Sequence, residues 1–148
     1  MAEPRKIIGS IKLPATLANL EEFIGFIEKS ALAANFMLEK VMQINLAVEE
    51  AYTNICKYAY PHKPDDAQIT CYLADEQTLI VEITDNGVAF DITSSEKPDT
   101  SIPIEDRAIG GLGGLLIKEM SDRAEYERTD TTNILRLTFI NRKPGDAK

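Results

Sequence analysis

Apolar positions along the chain switch between two periods, and the switches mark out most of the elements. Residues 6–13 (KIIGSIKL) alternate loosely up to Pro14, which predicts a first strand. Leu17, Leu20, Ile24, Ile27 and Ala31 then recur at helical spacing, with Thr16 placed to cap the helix they define. A second helix is predicted over about residues 38–60. Its stripe is Met37, Val41, Ile44, Val48, Ala51 and Ile55, and Pro61 stops it.

Past a turn through Lys63, Pro64, Asp65 and Asp66 the period falls to two. Residues 67–74 (AQITCYLA) put Ile69, Cys71 and Leu73 on one face, and residues 77–84 (QTLIVEIT) do the same with Leu79, Val81 and Ile83. Asp75 and Glu76 between them predict a hairpin. Residues 91–109 lose all periodicity and carry Ser94, Ser95, Pro98, Asp99, Ser101 and Pro103, which reads as a long lid-like loop. Glycines at 110, 111, 113 and 114 follow, then a short apolar helix over 115–120. Two last strands, 123–128 and 133–140, close the pattern, with Leu135, Leu137 and Phe139 facing inward, and 141–148 reads as a flexible tail. The order predicts an α+β fold: a two-layer sandwich in which helices cover one face of a mixed, mostly antiparallel sheet.

Composition narrows the function classes. A chain of 148 residues, 44% hydrophobic and 27% charged, suits one globular domain over 1–148. Its net charge of −8 repels phosphate backbones and argues against nucleic-acid binding. A polyphosphate ligand would need local donors or a metal to offset that field. Two cysteines, Cys56 and Cys71, are too few for a disulfide framework, and a single histidine, His62, set in a turn, argues against zinc. The first residues lack an apolar signal core and no apolar run reaches membrane-spanning length, so a soluble, cytoplasmic protein away from membranes is expected.

Three stretches carry candidate chemistry: LAVEEAYTN over 46–54, DNGVAFD over 85–91 and GGLGG over 110–114. On a helix, Glu50 and Asn54 stack on one face, since four residues turn by roughly 400°. A carboxamide oxygen there is a hard ligand suited to Mg²⁺, and a carboxylate beside it can deprotonate a hydroxyl or water. The pair reads equally as a solvated polar face. Asp85 at a strand end can accept a hydrogen bond from an exocyclic amine, with Gly87 admitting a flat base, although Asp-Asn-Gly is also a common turn. The glycines at the helix entry can turn backbone N–H groups toward an anion, or serve as a hinge. They lack the lysine and serine or threonine of a P-loop, and they do not follow a strand as a dinucleotide fingerprint does.

In this order, the three stretches resemble the GHKL ATPase superfamily of gyrase, histidine kinases and MutL. Within it, LAVEEAYTNICKYAY is similar to the helix of the bacterial anti-sigma-factor serine/threonine kinases. The resemblance implies ATP and Mg²⁺ as cofactors, Glu50 as general base and Asn54 as Mg²⁺ ligand. Asp85 and Gly87 match the adenine-reading motif, with Ala89 where the fuller motif has a second glycine. Gly110, Gly111, Leu112, Gly113 and Gly114 match the phosphate-contacting motif. Thr132 falls near the threonine that helps hold adenine, Tyr58 replaces a histidine of many relatives, and Arg107 is a candidate for reaching a phosphate from the lid. The implied activity is phosphorylation of a small anti-sigma-factor antagonist by a homodimeric kinase that also binds a sigma factor. A nucleotide-gated adaptor without phosphotransfer and a simple ATPase are the alternatives.

Overall fold

The computed structural model describes residues 6–94 and 111–142. Five strands form one sheet in the order β1-β2-β3-β5-β4, with β1 at Lys6–Pro14, β2 at Asp66–Asp75, β3 at Thr78–Asp85, β4 at Arg123–Thr129 and β5 at Thr132–Ile140. All four neighbouring pairs are antiparallel. Helices α1 (Leu20–Ala33), α2 (Leu38–Tyr58) and α3 (Gly111–Met120) complete an α+β fold.

Period-two alternation decides which sheet face the helices cover. Ile69 and Cys71 from β2, Leu79, Val81 and Ile83 from β3, and Leu135, Leu137 and Phe139 from β5 are all buried in one core. Helix α2 lays Val41, Ile44, Val48, Ala51 and Ile55 into the same core, as its stripe predicts; Ala47 and Tyr52 widen that stripe. On the opposite sheet face polar groups pair across strands. Glu82 of β3 and Arg136 of β5 stand in register, with Nε of Arg136 donating to Oε2 of Glu82 at 2.9 Å.

The first helix differs in detail from its predicted form. Its buried face is Phe23, Ile27, Ser30 and Ala31, whereas Leu17 is 56% exposed and belongs to a 3-10 turn, Leu17–Asn19, ahead of α1. Thr16 makes no side-chain cap; its carbonyl instead accepts from the Tyr52 hydroxyl at 2.6 Å, so this residue anchors α2. Phe23 stacks on Tyr52 with ring centroids 4.7 Å apart, tilted by 46°. The exit of α1 is a Schellman motif. Asn35 takes φ 63, its N–H reaches the Leu32 carbonyl at 3.0 Å, and Phe36 N–H reaches Ala31 at 3.0 Å.

Other boundaries move by a residue or two. The β2–β3 turn centres on Glu76 and Gln77, because the Asp75 carboxylate accepts from Gln77 N–H at 2.9 Å and stays in the strand. Helix α2 ends at Tyr58, two residues before its predicted end. The largest correction concerns the glycines: Gly111, Gly113 and Gly114 are not a loop before the short helix but its first turn. Each costs about 1 kcal/mol against alanine in a helix interior. A Cβ built on Gly113 would lie 3.2 Å from Glu50 Oε2 of α2, close enough that the carboxylate would have to shift slightly. Cys56 and Cys71 are free thiols, half-buried and buried, and burial pushes the Cys71 thiol up to about 11. His62 is exposed.

Candidate functional site

At one end of the sheet, α2, the end of β3 and the starts of β5 and α3 meet. Between them lies a cavity of about 250 Å³, walled by Ala51, Ile55, Ile83, Ile92 and Leu135 and edged by Asn54, Tyr58, Asp85, Ala89, Tyr126 and Asn133. An apolar slot with a few convergent polar groups is the usual form of a small-molecule site.

Each polar group is placed by its element. Asp85 is the last residue of β3, on the inward face with Ile83, so it ends 7% exposed inside the slot. Its Oδ1 accepts from Gly87 N–H at 2.9 Å and from the Asn133 amide at 2.9 Å. Its Oδ2 receives no hydrogen bond among the described residues, so an acceptor oxygen is left for an incoming donor.

Gly87 is required by its packing against the end of α2. A Cβ built on it would lie 2.4 Å from the Ala59 carbonyl oxygen and 2.6 Å from the Ala59 Cβ. The Val88 N–H donates to that same Ala59 carbonyl at 2.8 Å. The tight turn therefore bonds directly to the helix end that carries Tyr58. Tyr60 adds a second tie: its hydroxyl donates to the Asp66 carbonyl at 2.7 Å and accepts from Asn86 N–H at 2.9 Å. Burial pushes this phenol above its ordinary value, keeping its proton available for the bond.

Glu50 and Asn54 stand one turn apart on α2, as their spacing predicts. Both are half-buried, and neither side chain has a hydrogen bond or ion pair among the described residues. Asn54 edges the cavity. Glu50 lies further along, with Oε2 only 3.2 Å from where a Cβ on Gly113 would sit. The same hypothetical Cβ is 4.0 Å from Ile92, a residue of the cavity wall. Asn54 and Asp85 thus line the cavity, while Glu50 and the glycine-led start of α3 meet beside its Ile92 wall. Arg107 and Gly110 lie outside the described residues, as do positions 95–109 of the expected lid. Gly111 and Leu112 belong to α3, and Gly114 is buried there.

Asn133, the neighbour of Thr132, is the residue of the pair that lines the cavity. Thr132 points away from the cavity wall, and its hydroxyl donates to the Asn86 side-chain carbonyl at 2.7 Å. Asn133 takes the inward place beside Asp85. Alternation carried that signal, since counting back by twos from Phe139, Leu137 and Leu135 arrives at Asn133.

Comparison with known proteins agrees with this geometry. The model of the histidine kinase-like ATPase domain matches residues 13–139. The chain belongs to that family. Among curated relatives, a serine-protein kinase RsbW from Listeria monocytogenes serotype 4b is 32% identical over 127 residues, covering 81% of this chain and 80% of its own length. Another RsbW, from Bacillus pumilus, is 26% identical over 146 residues, covering 92% and 88%. A crystal structure of RsbU and RsbW domains from Mycobacterium tuberculosis superposes with a TM-score of 0.68 over 95% of this chain and 33% of that longer one. At 13% identity it speaks for the fold alone.

Proposed function

We propose that this histidine kinase-like ATPase chain is an ATP- and Mg²⁺-dependent serine/threonine protein kinase that acts as an anti-sigma regulatory factor. The observation that carries the reading is Glu50 and Asn54, one turn apart on α2 beside an apolar slot and the glycine-led helix α3. Nothing among the described residues consumes those two groups, although leaving polar groups half-buried and unpaired is costly. The serine-protein kinase names of the relatives point to the same chemistry.

The residues fit the cofactors. Asp85 Oδ2 offers an acceptor to an exocyclic amine, the Asn54 carboxamide oxygen offers a hard ligand to Mg²⁺, and the first turn of α3 offers phosphate the N–H groups that a helix leaves without intrahelical partners. When bound, Mg·ATP supplies the transferable γ-phosphoryl group and neutralises its charge. The protein's part is then local. Asp85 would fix the base, Asn54 would hold the cation, and the Glu50 carboxylate would take the proton of an acceptor hydroxyl whose oxygen replaces ADP on the phosphoryl group.

The acceptor we infer is a serine or threonine of a small anti-sigma-factor antagonist, with a sigma factor as second partner and a homodimer as the working form. Incubation with Mg·ATP and a candidate antagonist tests this. Phosphoserine or phosphothreonine on the partner supports the kinase. Phosphate release without a partner would mark a simple ATPase, and ATP retention with neither product an adaptor.

A further inference from the structure

Asn133 sits among more hydrogen bonds than its place at a strand start requires. Its Oδ1 accepts from the Tyr126 hydroxyl and from Arg128 Nη1 at 3.1 Å, both from β4. Its Nδ2 donates to Asp85 Oδ1 at 2.9 Å and to the Val88 carbonyl at 2.9 Å. Arg128 Nη1 also donates to the Gly87 carbonyl at 2.8 Å. Two donors therefore fill the amide oxygen, so only one of the two amide orientations satisfies every partner. The NH₂ must face Asp85. With Gly87 N–H on the same carboxylate oxygen, Oδ1 is saturated and stays an acceptor, and Oδ2 alone is presented to the cavity.

The geometry points to Asn133, locked by Tyr126 and Arg128, as the positioning residue that makes the pocket select a 6-amino over a 6-oxo purine. This inference rests on the nucleotide-binding reading above. A carboxylate aimed by two donors accepts from the adenine amino group and repels the lone pairs of a 6-oxo group. Were Asn133 an acceptor instead, it would face Asp85 acceptor to acceptor. Asn133→Asp creates that contact and removes the donor to Asp85 Oδ1, so Oδ2 is no longer held toward an amino group.

Calorimetric titration with ATP, ITP and ADP, in Mg²⁺ buffer, on the wild type and on Asn133→Asp tests the lock. The wild type binds ATP over ITP, and Asn133→Asp lowers that ratio by at least roughly tenfold, the size expected for a lost buried hydrogen bond. The ATP-to-ADP ratio, set at the phosphates, stays unchanged. Arg128→Met, at an exposed residue, removes one donor to Oδ1 and lowers the ATP-to-ITP ratio by a smaller factor, so the proposal remains testable if Asn133→Asp does not fold. An unchanged ATP-to-ITP ratio in the variants, with both nucleotides weakened in parallel, overturns the lock while leaving nucleotide binding intact. A wild type that binds neither nucleotide overturns both.

Discussion

Glu50 and Gly87 show how differently single residues can matter in one site. Glu50 has no hydrogen bond or ion pair among the described residues, so Glu50→Gln keeps its shape and removes only its basicity. Phosphotransfer by this variant is expected to fall by roughly 100-fold or more, the range of a general base, with ATP affinity within about twofold. Single-turnover assays alongside nucleotide titration separate the two. Gly87→Ala acts through packing: a Cβ there would overlap the Ala59 backbone, so the turn must move off α2. A loss of about 1–3 kcal/mol is expected in urea unfolding, with ATP affinity reduced as well because Asp85 moves with the turn. The motif residues Glu50, Asn54 and Asp85 were legible from the chain because spacing and strand ends place them. Asn133 was passed over for its neighbour because an asparagine after two threonines resembles a turn residue. Only the inward parity of the strand assigns it to the cavity.

Among the elements, α2 and β5 were readable because each carries one unbroken period. The entry to α3 was not. Glycines predict a loop by propensity, and the nearness of Gly113 to Glu50 and Ile92 is visible only in three dimensions. The same holds for the contact that ties α2 to the β4–β5 end of the sheet. Lys40 and Asp122 form an ion pair at 3.1 Å with both side chains 5% exposed. Asp122 also accepts from the Ile140 N–H at 2.7 Å and pairs with Arg142. Nothing in the helical stripe announces a buried lysine. Asp122→Ala strands that lysine, and a loss of roughly 3–5 kcal/mol by chemical denaturation is expected. Burial opposes the Asp122 charge, but the Ile140 N–H, Lys40 and Arg142 outweigh it and hold the carboxyl below its ordinary 3.8. Because the folded value is depressed, this stabilisation is present above the unfolded value and is lost as pH falls through the folded one. Acid titration should therefore destabilise the wild type below about pH 4 more steeply than Asp122→Asn.

For the molecule as a whole, the layered plan follows from faces. Helices whose stripes match the inward residues of an antiparallel sheet leave one sheet face outside, where Glu82 and Arg136 pair. The site forms at one end because β3 and β5 begin or end there beside α2, and the core supplies its apolar walls. With a net charge of −8, the surface offers a nucleotide no general attraction, so affinity depends on local groups and the cation. Removing Mg²⁺ with EDTA is accordingly expected to weaken ATP binding by at least about tenfold, read by equilibrium dialysis, and to weaken adenosine binding little. Among the described residues, no helix is long and apolar enough to cross a membrane.

The most direct test is calorimetric titration of Mg·ATP into the wild type and into Asp85→Asn. The wild type should bind one nucleotide per chain, and the variant should bind it at least roughly tenfold more weakly, since the buried acceptor facing the base is gone. Equal affinity in the two proteins, or no heat of binding in the wild type, would contradict the account.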